Sequence, residues 1–233
     1  MSTLAEIQNT IRKKANKQKA IFSQRFFKTG KGEYAEGDIF LGITVPELRK
    51  ISRLFQDLSF SETKKFLQSK FHEERLTALF ILVSQFQKGD EVKRKSVFDM
   101  YLSQTKWINN WDLVDSSADK IVGEYLFDKD KSILKKLATS TSLWERRIAI
   151  VSTFYFIRKG QFTETLQISK ILLNDPHDLI HKAVGWMLRE VGKRDIGTLV
   201  LFLDQYASKM PRTMLRYAIE KFPQTIRKQY LNL

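Results

Sequence analysis

Apolar residues at Leu4, Ile7, Ile11, Ile21 and Phe22 alternate with a dense set of lysines up to about Thr29, the spacing of one or two amphipathic helices. Gly30, Gly32 and Gly37 then break the pattern inside KTGKGEYAEGDIFLGI, the only glycine-rich stretch of the chain. No Gly-Lys-Ser/Thr closes it ahead of a helix, so it reads as a surface loop joining two helices and not as a phosphate cradle. Beyond it, helix starts recur. Thr44 with Glu47, Ser59 with Glu62 and Ser142 with Glu145 have capping-box spacing, and Asp175-Pro176 marks another start. Apolar spacing is helical in nearly every later window and no alternating run of five or more residues occurs, which predicts an all-α chain.

A repeat lies within this pattern. EERLTALFILV, NNWDLVDSSAD, ERRIAIVSTF, IHKAVGWMLRE and LRYAIEKF align on Ala78, Val114, Ala149, Val184 and Ile219, at steps of 36, 35, 35 and 35 residues. Near-constant steps of this length, with two helices per unit, predict an α-solenoid of HEAT-like repeats. The segments 91–104, 131–139, 161–173 and 196–208 are the expected first helices of successive pairs, and the aligned segments the second helices, which line one wall. No interdomain linker stands out, so residues 1–233 are read as one domain.

Composition narrows the chemistry. The chain has no cysteine, which removes disulfides, thiolate nucleophiles and zinc-thiolate sites. Its three histidines are His72, His177 and His181; the last two have helical i, i+4 spacing but no third ligand nearby, so no metal is expected. The amino-terminal residues lack an apolar core of signal-peptide length and no run of 18 apolar residues occurs, which points to the cytoplasm. Lys plus Arg outnumber Asp plus Glu by 40 to 26, a net charge of +14, favouring a polyanionic partner such as nucleic acid. No clean basic amphipathic anchor for a membrane stands out.

A few residues break the core pattern. Around Trp186, Ile180, Val184, Met187, Leu188 and Val191 form one arc of the helix, while Lys182, Arg189 and Lys193 surround the indole on the other side. Such a ring either packs on a neighbouring repeat or, amid cations, on a nucleic-acid sugar or base. Arg147 has Leu143, Ile150, Phe154 and Ile157 along its own side, so it either pairs with a carboxylate or opens toward phosphate. Arg146 beside it reads as plain surface. Trp111 and Asp115 stack four residues apart, away from the side formed by Leu113, Val114, Ser117, Ile121 and Tyr125. In a basic groove Asp115 answers a positive charge, either a cationic purine or sugar or a static partner in Arg147. Asp112 is assigned to the helix start and Asp119 to solvent.

FLGITVPELRKI at 40–51, WDLVD at 111–115, LWERRIAI at 143–150 and HKAVGWMLREVGK at 181–193 resemble, in this order, the AlkD-type DNA alkylation repair family. The resemblance covers most of the chain. It implies a HEAT-like solenoid whose basic concave face binds duplex DNA, and a glycosylase releasing positively charged alkylpurines without drawing the damaged base into a pocket, unlike base-flipping enzymes. It further implies that Trp111 and Trp186 pack on the deoxyribose at the lesion. Asp115 would stabilise the developing oxocarbenium ion and orient water, and Arg147 would hold a phosphate. Tyr34, in a loop of different length, corresponds to a family aromatic near the lesion. Lys182, Arg189 and Lys193 are the expected DNA contacts.

A cationic purine is already a good leaving group, so a single carboxylate suffices where ordinary glycoside cleavage uses two. The reading calls for no cofactor and no metal, and for a monomer acting in base excision repair. Two other functions stand beside it: a catalytically silent DNA-binding solenoid, and a scaffold for acidic protein segments.

Overall fold

A computed structural model describes residues 2–232. Its regular elements are helices, with no strand among the described residues and an isolated bridge between Ile39 and Phe71. The chain divides into two compact units, Met1–Ser117 and Ala118–Leu233.

The first unit contains α1 (Leu4–Arg12), α2 (Lys17–Phe26), α3 (Val45–Leu54), α4 (Phe60–Leu67), α5 (His72–Lys88), α6 (Glu91–Ser103) and the short α7 (Trp111–Asp115). The expected caps are present: Glu47 accepts from the Thr44 hydroxyl at 2.8 Å and Ser59 caps the Glu62 N–H. The second unit begins in a π turn, Asp119–Gly123, that runs into α8 (Glu124–Leu126). There follow α9 (Ser132–Ala138), α10 (Leu143–Ser152), α11 (Phe154–Arg158), α12 (Thr163–Ile171), α13 (Asp178–Gly192), α14 (Ile196–Tyr206), α15 (Arg212–Ala218) and α16 (Gln224–Leu231). The four expected first helices correspond to α6, α9, α12 and α14, and the aligned positions Ala78, Val114, Ala149, Val184 and Ile219 are all buried. The repeat register is therefore a core register.

The register also carries a polar signature at the entry to three of the second helices. Ser69 accepts the Phe71 N–H on its hydroxyl, and its carbonyl accepts from Arg75 Nη1 at 3.1 Å. Ser140 does the same with the Ser142 N–H and with Arg146 Nη1 at 3.0 Å. Asp175 does so with the His177 N–H, and its carbonyl accepts from His181 Nε2 at 2.5 Å. In each case a side chain satisfies the incoming turn while a donor six residues on ties the same residue's carbonyl to the helix, so buried backbone groups at the corner are not left unpaired. Arg146 also bonds Asp175 through Nε at 2.6 Å and is half-buried, a structural corner and not the plain surface residue expected. The helix after Asp175-Pro176 starts at Asp178, capped by His177.

Close approach of helices in the second unit depends on Gly185. A Cβ there would lie 2.5 Å from the Met214 carbonyl oxygen and 2.5 Å from Tyr217 Cβ, so α13 and α15 are in backbone contact at this point. Asp119, expected in solvent, is 2% exposed and bridges Arg158 at 2.9 Å and Lys120 at 3.2 Å. No helix is long and apolar enough to cross a membrane among the described residues.

Candidate functional site

Trp111 and Asp115 are the first and last residues of α7. Leu113, Val114 and Ser117 are fully buried on the other side, while Trp111 and Asp115 are both half-buried, as the helical spacing requires. The pair is thus a plate and a carboxylate one turn apart on a partly open face.

What holds the plate is a stack. Phe27 lies parallel to Trp111 (5.1 Å, 16°) and to Phe40 (4.8 Å, 21°), and Phe40 lies on His72 (4.3 Å, 22°). Phe26 meets the indole edge-on at 6.1 Å and is 56% exposed. Parallel offset rings at these separations are favourable and fix the indole plane.

Beneath the stack lies a buried polar cluster. Asp38, in the glycine-rich loop, accepts from His72 Nδ1 at 2.8 Å, from Arg75 Nη2 at 2.6 Å and from Asn110 Nδ2 at 3.4 Å. His72 Nε2 in turn donates to Asp112 at 2.8 Å. Asn110 caps α7 by accepting the Trp111 N–H, and Asp112 accepts the Leu113 N–H. Both neighbours of Trp111 are therefore tied to the cluster. A neutral imidazole could donate to only one of the two carboxylates, so His72 is held in its doubly protonated form. Burial pushes its pKa down, but the Asp112 and Asp38 carboxylates override this and raise it to about 9. Burial likewise pushes Asp38 up, and the His72 hydrogen bond with the Arg75 and His72 charges brings it below the ordinary carboxylate value.

The same helix start staples two further segments. Glu73 accepts the backbone N–H groups of Leu41, Gly42 and Ile43, and Glu74 binds Arg12 and Gln8 of α1. Gly42 has φ +80°, and a Cβ there would strike the Asn16 carbonyl oxygen at 2.2 Å. The glycine-rich loop is accordingly not a bland surface connection: its Asp38, Phe40, Gly42 and Ile43 are buried, and Phe40 stacks on the Phe27 ring that carries Trp111. Tyr34 is half-buried in the same loop.

The remaining expected site residues belong to the second unit. Arg147 on α10 is 5% exposed and donates from Nη1 to the Leu179 carbonyl of α13 at 2.6 Å. Trp186 on α13 is half-buried against Phe154 (5.7 Å), while Ile180, Val184, Met187, Leu188 and Val191 form the fully buried arc expected. The cations around Trp186 are engaged with carboxylates: Lys182 with Asp178 at 2.7 Å, Lys193 with Glu190 at 2.6 Å, and Arg189 with Glu220. His177 and His181 serve the turn at Asp175, and no cluster of three or more His, Asp or Glu with metal-binding geometry occurs among the described residues.

Residues 7–222 match the profile of the DNA alkylation repair enzyme family. The chain belongs to that family. Among solved structures it is similar to a protein of Enterococcus faecalis described as a predicted DNA alkylation repair enzyme (TM-score 0.69, 15% identity, covering 90% of this chain and 97% of that one). It is also similar to AlkD2 from Streptococcus mutans (TM-score 0.55, 16% identity, 95% and 97%) and to smu.31 of Streptococcus mutans UA159 (TM-score 0.53, 16% identity, 95% and 99%). No curated protein matches the chain. The DNA alkylation repair fold thus accounts for the resemblance carried by the four sequence motifs.

Within this family member, sequence reasoning missed Asp38, His72, Arg75 and Asp112 as supports of Trp111, and Phe27 and Phe40 as its stack. A usable signal was present: His72, Glu73, Glu74 and Arg75 are four consecutive polar residues opening an otherwise apolar helix, and all four are buried.

Proposed function

We propose that the protein is a DNA glycosylase that removes positively charged alkylated purines from duplex DNA by hydrolysing the N-glycosidic bond. The observation that carries the reading is α7: an indole held in a fixed plane, with a half-buried carboxylate one turn away, in a chain of a DNA alkylation repair family. In this proposal residues 1–233 work as one HEAT-like repeat domain.

Trp111 packs on the deoxyribose and Asp115 faces the sugar carbon at C1′. The bond electrons leave with the alkylated purine and cancel its positive charge, so no acid is needed at the leaving group. The positive charge passes to the sugar, where the Asp115 carboxylate stabilises it. Water adds at C1′ and its proton passes to Asp115 and on to solvent. Arg147 takes a backbone phosphate and Trp186 a sugar of the same duplex, while Tyr34 lies toward the lesion. Lys182, Arg189 and Lys193 reach phosphate by exchanging their present carboxylate partners, which makes their contribution salt-dependent and small per residue.

The test is release of free base from a duplex bearing a single 7-methylguanine. Wild type should release it, and Asp115→Asn should be slower by about 100-fold or more. No release by the wild-type protein sinks the glycosylase reading; equal release by both removes Asp115 from its role. Salt-sensitive duplex binding without release selects the silent DNA-binding function instead.

A further inference from the structure

α14 departs from the pattern of a surface helix. Residues 196–203 include no charged side chain, in a chain where 28% of residues are charged. Leu199, Phe202 and Leu203 are buried, but Leu201 is 66% exposed where the outer face of a helix ordinarily carries a polar residue. Beside it, α12 and α14 both pack on α13 and leave a cleft of about 410 Å³ lined from the two of them. Leu166, Leu201, Phe202 and Tyr206 form its apolar lining, the Phe202 and Tyr206 rings 4.8 Å apart. None of the lining comes from α10 or α13, which carry Arg147 and Trp186.

The border of this cleft is cationic. Lys170 places its ammonium 5.9 Å from the Tyr206 ring and forms no ion pair among the described residues. Gln167 lines the cleft on one side and, on the other, a polar hollow of about 320 Å³ edged by Lys129, Lys131 and Lys135. The carboxylates of that hollow are Asp130 and Glu164, and Asp130 is occupied by the N–H and hydroxyl of Ser132. Along α12, therefore, an apolar cleft and a lysine-edged hollow lie on either side of one glutamine.

We propose that the cleft between α12 and α14 docks an acidic amphipathic helix of a partner protein. Its apolar side chains lie on Leu201, Phe202 and Tyr206, and its carboxylates meet Lys170 and, past Gln167, Lys131 and Lys135. Two helices with an apolar cleft between them offer the groove into which a third lays its apolar face, and the charges on the rim select the sign of that third helix. Charge decides the occupant. A second copy of the chain brings another +14 and meets like-charge repulsion. An anionic bilayer takes up projecting apolar side chains, whereas here the apolar surface lines a cleft from which Leu201 alone stands mainly exposed. Nucleic acid would use the lysines and leave the leucines uncovered.

The experiment uses the full chain and a fluorescein-labelled synthetic helix of about 18 residues, long enough to match α12 and α14, with leucines along one face and glutamates along the other. Fluorescence anisotropy compares wild type, Leu201→Glu and Leu201→Met. Because Leu201 is exposed, all three should share one urea midpoint. Wild type and Leu201→Met should bind alike, and Leu201→Glu about 10-fold or more weakly. Lys131→Gln/Lys135→Gln should weaken binding by about 3-fold and reduce its salt dependence. No binding by wild type, or equal binding by Leu201→Glu, overturns the proposal. So does equal binding of a scrambled peptide of the same composition, which leaves charge alone as the attraction. A dimer in sedimentation velocity that Leu201→Glu dissolves assigns the cleft to a second copy, and phosphatidylserine vesicle binding that Leu201→Glu loses assigns it to membranes; either overturns it. Base release from 7-methylguanine duplex is scored separately and should be the same for wild type and Leu201→Glu, so docking and the glycosylase reading stand or fall apart.

Discussion

His72 Nε2 donates to Asp112 at 2.8 Å, one residue beyond Trp111, while its Nδ1 donates to Asp38 at the same distance. One imidazolium thereby joins the glycine-rich loop, the start of α5 and the start of α7, and its protonation state is coupled to the placement of the indole.

A stability profile against pH should report this coupling. The His72 pKa is raised from 6.5 to about 9, so its contribution is complete below pH 6.5 and is lost as pH rises through about 9. Chemical denaturation of wild type should show up to about 3 kcal/mol lost across that window. His72→Gln should be less stable at pH 6 and nearly flat between pH 6.5 and 9. A wild-type profile as flat as that of the variant would show that His72 is not charged in the folded protein.

Asp38→Asn should be more damaging than its loop position suggests. It leaves the His72 and Arg75 cations facing an amide in a buried site, at a cost of about 3–5 kcal/mol. The emission of Trp111 should shift in the folded variant, since Asn110 also loses its partner. Thermal unfolding with tryptophan fluorescence measures both.

Two glycine substitutions should have opposite signs. Gly185→Ala places a methyl 2.5 Å from the Met214 carbonyl oxygen and should cost about 1–3 kcal/mol by forcing α13 off α15. Gly197→Ala, in the exposed first turn of α14 with its nearest atom at 3.4 Å, should stabilise by up to about 1 kcal/mol. Urea midpoints at constant slope distinguish them.

Arg146→Lys should destabilise the second unit by about 1–3 kcal/mol. The guanidinium binds Asp175 and the Ser140 and Thr141 carbonyls together, a fork that a single ammonium cannot reproduce. The control is Lys95→Gln, which removes an exposed i, i+4 pair with Asp99 and should change stability by no more than about 0.5 kcal/mol. Equal effects in the two variants would show that the Ser140 corner is not a structural joint.

Local rules determined a great deal. Helical period, capping pairs and the 35-residue register are short-range properties of the chain. They therefore located α6, α9, α12 and α14, the buried positions from Ala78 to Ile219, and the open face of α7 that carries Trp111 and Asp115. The charge of +14 was also legible, but not its disposition. Only the tertiary structure decided that Lys182, Arg189 and Lys193 are matched by acids, because pairing depends on which helices bring carboxylates within reach. It alone decided that Asp38 and Asp112, seventy-odd positions apart in sequence, share one imidazole. A buried ionic cluster of this kind has no periodicity: each member is a polar residue whose partners are set by chain packing, and in the linear sequence it looks like any solvated charge.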